Sequence, residues 1–184
     1  MHEILAPPYK LDAMVRELAA KVRVVVFDVD GVLTDGKLLM DDDGKEYKAF
    51  HSRDGHGIKM LQRTGVEIGI ITGRTSRLVE RRVTELGIKH VFQGCEDKLP
   101  VFQGLLAKLR IEPAQAAFLG DDVTDLPIML KAGLAVAVSD GHTLVKHYAH
   151  WVTPSSGGQG AVRELCEVIM HAQGTYVAEI QRYL

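Results

Sequence analysis

Asp28 and Asp30 stand one residue apart, directly after the apolar run Val22 to Phe27 and directly before Gly31. Two carboxylates at the end of a strand buried on both faces repel each other and are poorly hydrated. A bound cation, or a proton on one of them, relieves both problems. Taken alone, an Asp-x-Asp after a strand is most often just an acidic turn. Three later segments change that weighting. Ile71-Thr72-Gly73-Arg74 offers a hydroxyl and backbone N–H groups at a helix N-terminus, a ready anion site. Lys98 opens the following helix, and Gly120-Asp121-Asp122-Val123-Thr124-Asp125 forms a second acidic cluster after a buried strand. Together they supply oxygen ligands for a hard divalent cation, with a hydroxyl and an ammonium for a phosphate. Carboxylate and water ligation with phosphate in the shell favours Mg²⁺ over a transition metal. None of the eight histidines has zinc-ligand spacing; His147 and His150 read as surface or capping residues.

These groups need strand ends to carry them. Val22 to Phe27, Val66 to Ile71, Ala116 to Leu119 and Leu134 to Val138 are short apolar runs of the kind buried on both faces. His90 to Phe92 and His150 to Val152 are briefer strands. Helices are expected over Leu11 to Leu18, Asp54 to Thr64, Thr75 to Leu86, Lys98 to Leu109, Asp125 to Ala132, Thr143 to Ala149 and Ala161 to about Ala172, several of them closed by glycine. Lys37 to Met40 and Glu46 to Phe50 flank the polar turn Asp41-Asp42-Asp43-Gly44-Lys45 as a β-hairpin. Residues 1 to 9, with Pro7 and Pro8, read as an irregular tail. Strand–helix alternation implies an α/β fold, a parallel sheet with helices on both faces. Ligands in such sheets sit at the carboxyl ends of the strands.

The ordered set Asp28-x-Asp30-Gly31-Val32-x-Thr34, Thr72, Lys98 and Gly120-Asp121-Asp122-x-x-Asp125 resembles the haloacid dehalogenase superfamily of phosphatases. The resemblance implies a three-layer, Rossmann-like α/β/α domain in which Asp28 is the nucleophile and forms an aspartyl phosphate. Asp30 would protonate the leaving alkoxide and then deprotonate the attacking water. Thr72 and Lys98 would hold the phosphoryl group. Asp28, the carbonyl of Asp30, and Asp121 would bind Mg²⁺, with Asp122 and Asp125 close behind. The chemistry is self-consistent. Phosphoryl transfer needs charge neutralised and atoms placed in line, and a carboxylate nucleophile splits hydrolysis into two steps. An alcohol leaving group needs a proton donor, so an acid at position 30 argues for phosphate monoesters.

The intervals between Asp35 and Thr72 and between Lys98 and Asp121 are too short for a cap domain. Either the substrate is large or a neighbouring subunit forms the lid. The finer pattern is similar to the 3-deoxy-manno-octulosonate 8-phosphate phosphatase family of capless homotetramers. It comprises the hairpin, His51-Ser52-Arg53-Asp54-Gly55-x-Gly57-Ile58-Lys59, Gly73-Arg74, Arg82 and Gly157-Gly158-Gln159-Gly160-Ala161-Val162-Arg163-Glu164. That resemblance implies that hairpins assemble the tetramer and that a neighbour's tail closes the site. His51, Ser52, Arg53, Asp54, Gly55, Lys59, Arg74 and Arg82 would then contact an acidic sugar, although His51 replaces an expected small polar residue. A carboxylate and a phosphate both suit guanidinium groups. Arg74 and Arg82, eight positions apart, would share a face if one helix carried both; a solvated basic face, with Arg77 and Arg81 nearby, is the alternative reading for Arg82, and a surface position is the alternative for Lys59. Asp122 could equally cap the next helix. Leu126, Ile128 and Met129 read as core. Deletion beyond Pro154 is expected to impair catalysis more than Mg²⁺ binding.

The chain has 184 residues, 46% hydrophobic and 25% charged, with a net charge of −2. These values predict a single domain over residues 1–184, with a hairpin at about 35–51 and a tail at about 155–184. They lend no electrostatic support to nucleic-acid binding. No apolar run would span a bilayer and no signal pattern appears, so a cytoplasmic protein with a small-molecule substrate is expected. Cys95 and Cys166 read as reduced core thiols. Alternatives are a nonulosonate 9-phosphate phosphatase, a receiver-like signalling module, and an inert oligomerisation domain. The order of the acidic pair, the lysine and the acidic cluster disfavours the second, and the full set of acids disfavours the third.

Overall fold

The structure, a computed structural model, describes residues 11–184; the segment expected to be an irregular tail lies outside them. In chain order the elements are α1 (Ala13–Ala20), β1 (Val24–Phe27), β2 (Leu39–Met40), β3 (Glu46–Tyr47), α2 (Ser52–Arg63), β4 (Glu67–Ile71), α3 (Arg77–Leu86), β5 (His90–Phe92), α4 (Lys98–Leu109), β6 (Ala116–Gly120), α5 (Leu126–Met129), β7 (Leu134–Ala137), α6 (Thr143–Tyr148), β8 (Trp151–Val152), α7 (Ala161–Ala172) and α8 (Tyr176–Ile180). Six strands form a parallel sheet in the order β5-β4-β1-β6-β7-β8. The chain runs outward from β1 through β4 to β5, then returns to β6 on the other side. The strand order therefore reverses beside β1, and there the carboxyl ends open a crevice.

Both faces of the sheet are covered, which is why its strands are continuous apolar runs. Val25 and Phe27 pack with Ile58, Leu61, Val83 and Leu165, beneath α1, α2, α3 and α7. Val24 and Val26 face the other way, with Phe102, Leu105, Ile128 and Val145 of α4, α5 and α6. Alternation along β1 gives the next residue, Asp28, the direction of Val24 and Val26, toward α4.

Several boundaries differ from expectation. The hairpin ladder has only two residues per strand. The segment expected as a helix from Asp125 begins as a 3₁₀ turn, Val123–Asp125, and its α-helical part stops at Met129. Pro127 supplies no N–H and accordingly sits in the first turn of α5. Leu126 is half-buried rather than core. α3 begins at Arg77, behind the N-cap Ser76, so Arg74 lies in the preceding loop and shares no helix face with Arg82.

The helix expected from Ala161 to about Ala172 forms as α7, and its packing revises the expected effect of deleting the chain beyond Pro154. α7 is a core helix: Val162, Leu165, Cys166, Val168, Ile169 and Met170 are fully buried. Its N-terminus is capped from α2, where the Asp54 carboxylate accepts the Arg163 N–H at 2.8 Å. Deletion beyond Pro154 would therefore test folding before it tested catalysis.

Candidate active site

Asp28, Thr72 and Asp121 follow β1, β4 and β6, three adjacent strands, and so arrive side by side at one end of the sheet. α4 starts opposite them and delivers Lys98, whose side chain is 3% exposed. The Lys98 ammonium lies 3.1 Å from Asp28 Oδ2 and 2.7 Å from Asp125 Oδ1. Burial works against its charge, but Asp125 and Asp28 outweigh that and hold its pKa above the usual lysine value. Asp125 is fully buried. Its second oxygen accepts the N–H groups of Asp121 at 2.9 Å and Asp122 at 3.4 Å. It is thus a strut, placing Lys98 and the 121–122 backbone at once. Gly120 makes room for it: a Cβ there would stand 2.5 Å from Asp125 Oδ2.

Asp28, Asp121 and Asp125 each bring a carboxylate oxygen within 4.8 Å of the others. Asp125 has both oxygens occupied, whereas Asp28 Oδ1 and Asp121 Oδ1 are buried acceptors with no hydrogen-bond partner among the described residues. One lysine cannot neutralise three carboxylates. Burial, then the charge of Asp125, pushes the Asp28 carboxyl up to about 6. Burial, then Asp125, Asp28 and Asp122, pushes Asp121 up to about 8. Two orphaned anionic acceptors a few ångströms apart are what a divalent cation would satisfy, so the residues fit one. Asp122 is not part of this group. Its carboxylate accepts the Val123 N–H at 2.8 Å as the cap of the 3₁₀ turn, the reading left open above.

The loop carrying Asp28 and Asp30 is tightly wound. The Val29 carbonyl accepts the N–H groups of Val32, Leu33 and Thr34. Gly31 sits at φ +87°, and a Cβ on it would lie 2.1 Å from Asp121 Oδ2. The glycine-rich segment backs this loop from the same chain: the Gly158 N–H donates to the Val32 carbonyl at 2.9 Å, and a Cβ on Gly157 would stand 1.7 Å from the Gly31 carbonyl oxygen. Gly31→Ala therefore forces either the loop or Asp121 to move. We expect it to lower kcat/KM by about 100-fold, as ångström-scale misplacement does, with only a modest fall in melting temperature. Unchanged kinetics would show that Asp121 is free to swing aside.

Asp28, Asp30, Thr72, Gly73, Arg74, Lys98, Asp121 and Asp122 line one cavity of about 400 Å³. Cys95, expected as core, is half-buried on its wall. A larger hollow of about 660 Å³ opens beside Arg23, Glu67 and Gln115, at the amino ends of the strands, away from the carboxylate cluster. The other anticipated sugar contacts do not line the Asp28 cavity. Asp54 is 1% exposed and lies outside this cavity, with Oδ1 capping α7 and Oδ2 buried without a partner among the described residues. Gly55 gives passage to Arg82, whose Nη2 would be 2.2 Å from a Cβ there. Arg82 lies over the Phe50 ring and, with Ser52, lines a separate hollow. Arg53 lines another with His56 and Arg163. His51 is the half-buried N-cap residue of α2, and Lys59 is exposed on that helix. Two residues that sequence reasoning passed over do reach the site: Glu46 and Lys48, from the hairpin. Their signal was opposite charges at i and i+2 around an aromatic, which places both on one face of a strand.

A family model described as haloacid dehalogenase-like hydrolase matches residues 93–165. The 3-deoxy-D-manno-octulosonate 8-phosphate phosphatase of Yersinia pestis is 48% identical over 155 residues, which cover 84% of this chain and 83% of that protein. The chain belongs to this phosphatase family. It is accordingly a phosphoric monoester hydrolase of the haloacid dehalogenase type, and its α/β architecture is the expected one. The corresponding phosphatase of Escherichia coli K12 is 49% identical over 156 residues, 85% of this chain and 83% of that one. The crystal structure of the Moraxella catarrhalis phosphatase, in complex with magnesium ion, phosphate ion and a KDO molecule, superposes with a TM-score of 0.91. It is 40% identical, over 92% of this chain and 98% of that chain. No described helix is long and apolar enough to cross a membrane.

Proposed function

We propose that this enzyme hydrolyses 3-deoxy-D-manno-octulosonate 8-phosphate to the free sugar acid and inorganic phosphate. The observation that carries the mechanism is the pair of buried oxygens without a partner among the described residues, Asp28 Oδ1 and Asp121 Oδ1, on two residues that line one cavity with Thr72 and Lys98. Asp28, the main-chain carbonyl of Asp30, and Asp121 would hold Mg²⁺, which when bound would supply charge neutralisation for the phosphoryl group. An Asp28 oxygen attacks phosphorus, the bond from phosphorus to the sugar oxygen breaks, and Asp30 gives that oxygen its proton. Water then attacks the aspartyl phosphate, returning its proton to Asp30 and restoring the Asp28 carboxylate. Lys98 and the Thr72 hydroxyl offset the charge of the transferring group.

The test is phosphate release from octulosonate 8-phosphate and nonulosonate 9-phosphate, each with and without Mg²⁺. Faster turnover of the first, lost on chelation, is expected; preference for the second would reassign the substrate, and turnover undiminished by chelation would remove the cation. Four subunits complete the reading. The hairpin exposes Leu38, Leu39, Met40 and Tyr47, an apolar patch suited to assembly. Arg82, Arg53 and Lys59, turned away from the site of their own chain, would serve a neighbour's. A monomeric mass in solution would count against this arrangement.

The cation should also stabilise the fold in a pH-dependent manner. Asp28 and Asp121 have folded pKa values above the ordinary carboxylate value of 3.8, so the cation-free fold holds protons that the unfolded chain has lost. Their contribution to stability is full below about pH 4 and is lost as pH rises through about 6 and about 8. Cation binding needs both ionised. Addition of Mg²⁺ should therefore raise the melting temperature more at pH 8 than at pH 6, and Asp121→Asn should remove most of that difference. A pH-independent increment would mean that these carboxylates do not hold the ion.

A further inference from the structure

Asp30, Glu46, Lys48 and Arg74, four charged side chains from three parts of the chain, form one cluster. The returning strand of the hairpin presents Glu46 and Lys48 inward, while Tyr47 between them is exposed. The Lys48 ammonium contacts Asp30 Oδ1 and lies 3.2 Å from Glu46 Oε1. The Lys48 side chain is 1% exposed, although its backbone is open to solvent. Glu46 is itself anchored. The Ser76 hydroxyl, at the N-cap of α3, donates to its Oε2 at 2.7 Å, and Arg74 Nη2 stands 3.2 Å from Oε1. Arg74 Nε approaches the other Asp30 oxygen more loosely, at 3.7 Å.

We infer that Lys48 is a positioning residue for Asp30, holding the proton-transferring carboxylate in place against an anchor made of Glu46 and Ser76. The inference rests on Asp30 acting as acid and base. Asp30 sits on a loop with its side chain 19% exposed, so without a partner it would sample several rotamers and seldom face the leaving oxygen. Lys48 is ruled out as a substrate ligand by its burial and by the two carboxylates already on it. Stability does not account for it either, since a well-packed apolar side chain of similar volume commonly serves a fold as well as a buried ion pair. What an apolar residue cannot do is grip one oxygen of a carboxylate. The hairpin thereby becomes part of the active site of its own chain.

A leaving group that departs without a proton separates positioning from architecture. The readout is kcat/KM, which covers only the steps through departure of the leaving group, for octulosonate 8-phosphate and for p-nitrophenyl phosphate. Asp30→Asn is the reference and should lower the first far more than the second. Lys48→Met should lower kcat/KM for the sugar phosphate by about 100-fold, the lower end of what general acid catalysis contributes, and that for the aryl phosphate by less than about threefold. Lys48→Arg should restore part of the loss. Glu46→Gln, which weakens the anchor, should show the same selectivity on a smaller scale. These two variants carry the comparison if Lys48→Met does not fold. Equal losses on both substrates would make Lys48 merely structural and overturn the inference, as would no loss on either. If Asp30→Asn fails to discriminate, the assignment of Asp30 is at fault and the role of Lys48 falls with it.

Discussion

Asp28→Asn should abolish phosphate release and, at the same time, raise the melting temperature of the cation-free protein. The first effect follows from removing the attacking oxygen. The amide is a poor nucleophile, and losses of at least about 10⁴-fold are usual when such a group is deleted. The second follows from the crowding of charge. Asp28, Asp121 and Asp125 share one buried lysine, and burial together with Asp125 drives the Asp28 carboxyl up to about 6. A rise of about two pH units over the ordinary carboxylate corresponds to at most about 3 kcal/mol of folding free energy withheld at neutral pH. Asparagine keeps an oxygen for Lys98 and sheds the charge. Calorimetry with and without Mg²⁺, beside a phosphate assay, checks both halves. Retained turnover would refute the nucleophile. A lower melting temperature would show that the Lys98 contact is worth more than the repulsion.

Truncation after Pro154 should leave no folded protein, whereas truncation after Gly174 should leave a folded one. α7 fully buries Val162, Leu165, Val168, Ile169 and Met170. At about 1.5–3 kcal/mol each, an upper estimate, their burial sums to about 10 kcal/mol, comparable with the entire stability of an ordinary domain of 5–15 kcal/mol. The same deletion strips Asp54 of its partner at the α7 N-terminus and removes Gly157 and Gly158 from behind the Asp28 loop. Removing residues 175–184 costs the Arg63–Glu179 ion pair at 2.7 Å, the Tyr183 hydrogen bonds to His56 and Arg63, and only the partly buried Tyr176 and Ile180 at the edge of the core. Circular dichroism on both truncations decides. A cooperative melt in the shorter chain would mean that the sheet stands without α7.

The candidate site was legible because its chemistry is written in strand ends. Asp28, Thr72 and Asp121 each follow an apolar run, and parallel strands on adjacent ladders must bring such residues to one edge. Lys98, at the first position of α4, needed only the helix to pack on the face toward which Asp28 points. What sequence could not decide were the long-range pairings. Asp54 has the same local look as a ligand-binding aspartate, and only the docking of α7 on α2 shows that it caps a helix. The 157–164 segment is short and glycine-rich whether it closes a site or supports one; its position against Gly31 depends on where β8 leaves the sheet.

Composition, apolar period and the order of the acids determined by themselves that this chain builds a parallel sheet with a cation-binding, phosphate-handling edge. Those features rest on contacts within one strand or helix and on the rule that places adjacent strand ends together. The tertiary structure alone decided that Asp125 is the strut beneath Lys98, that Asp122 is a cap, and that Lys48 grips Asp30. Each of these depends on which oxygen of a carboxylate meets which donor from a distant segment, and a linear pattern of residue types does not encode that choice.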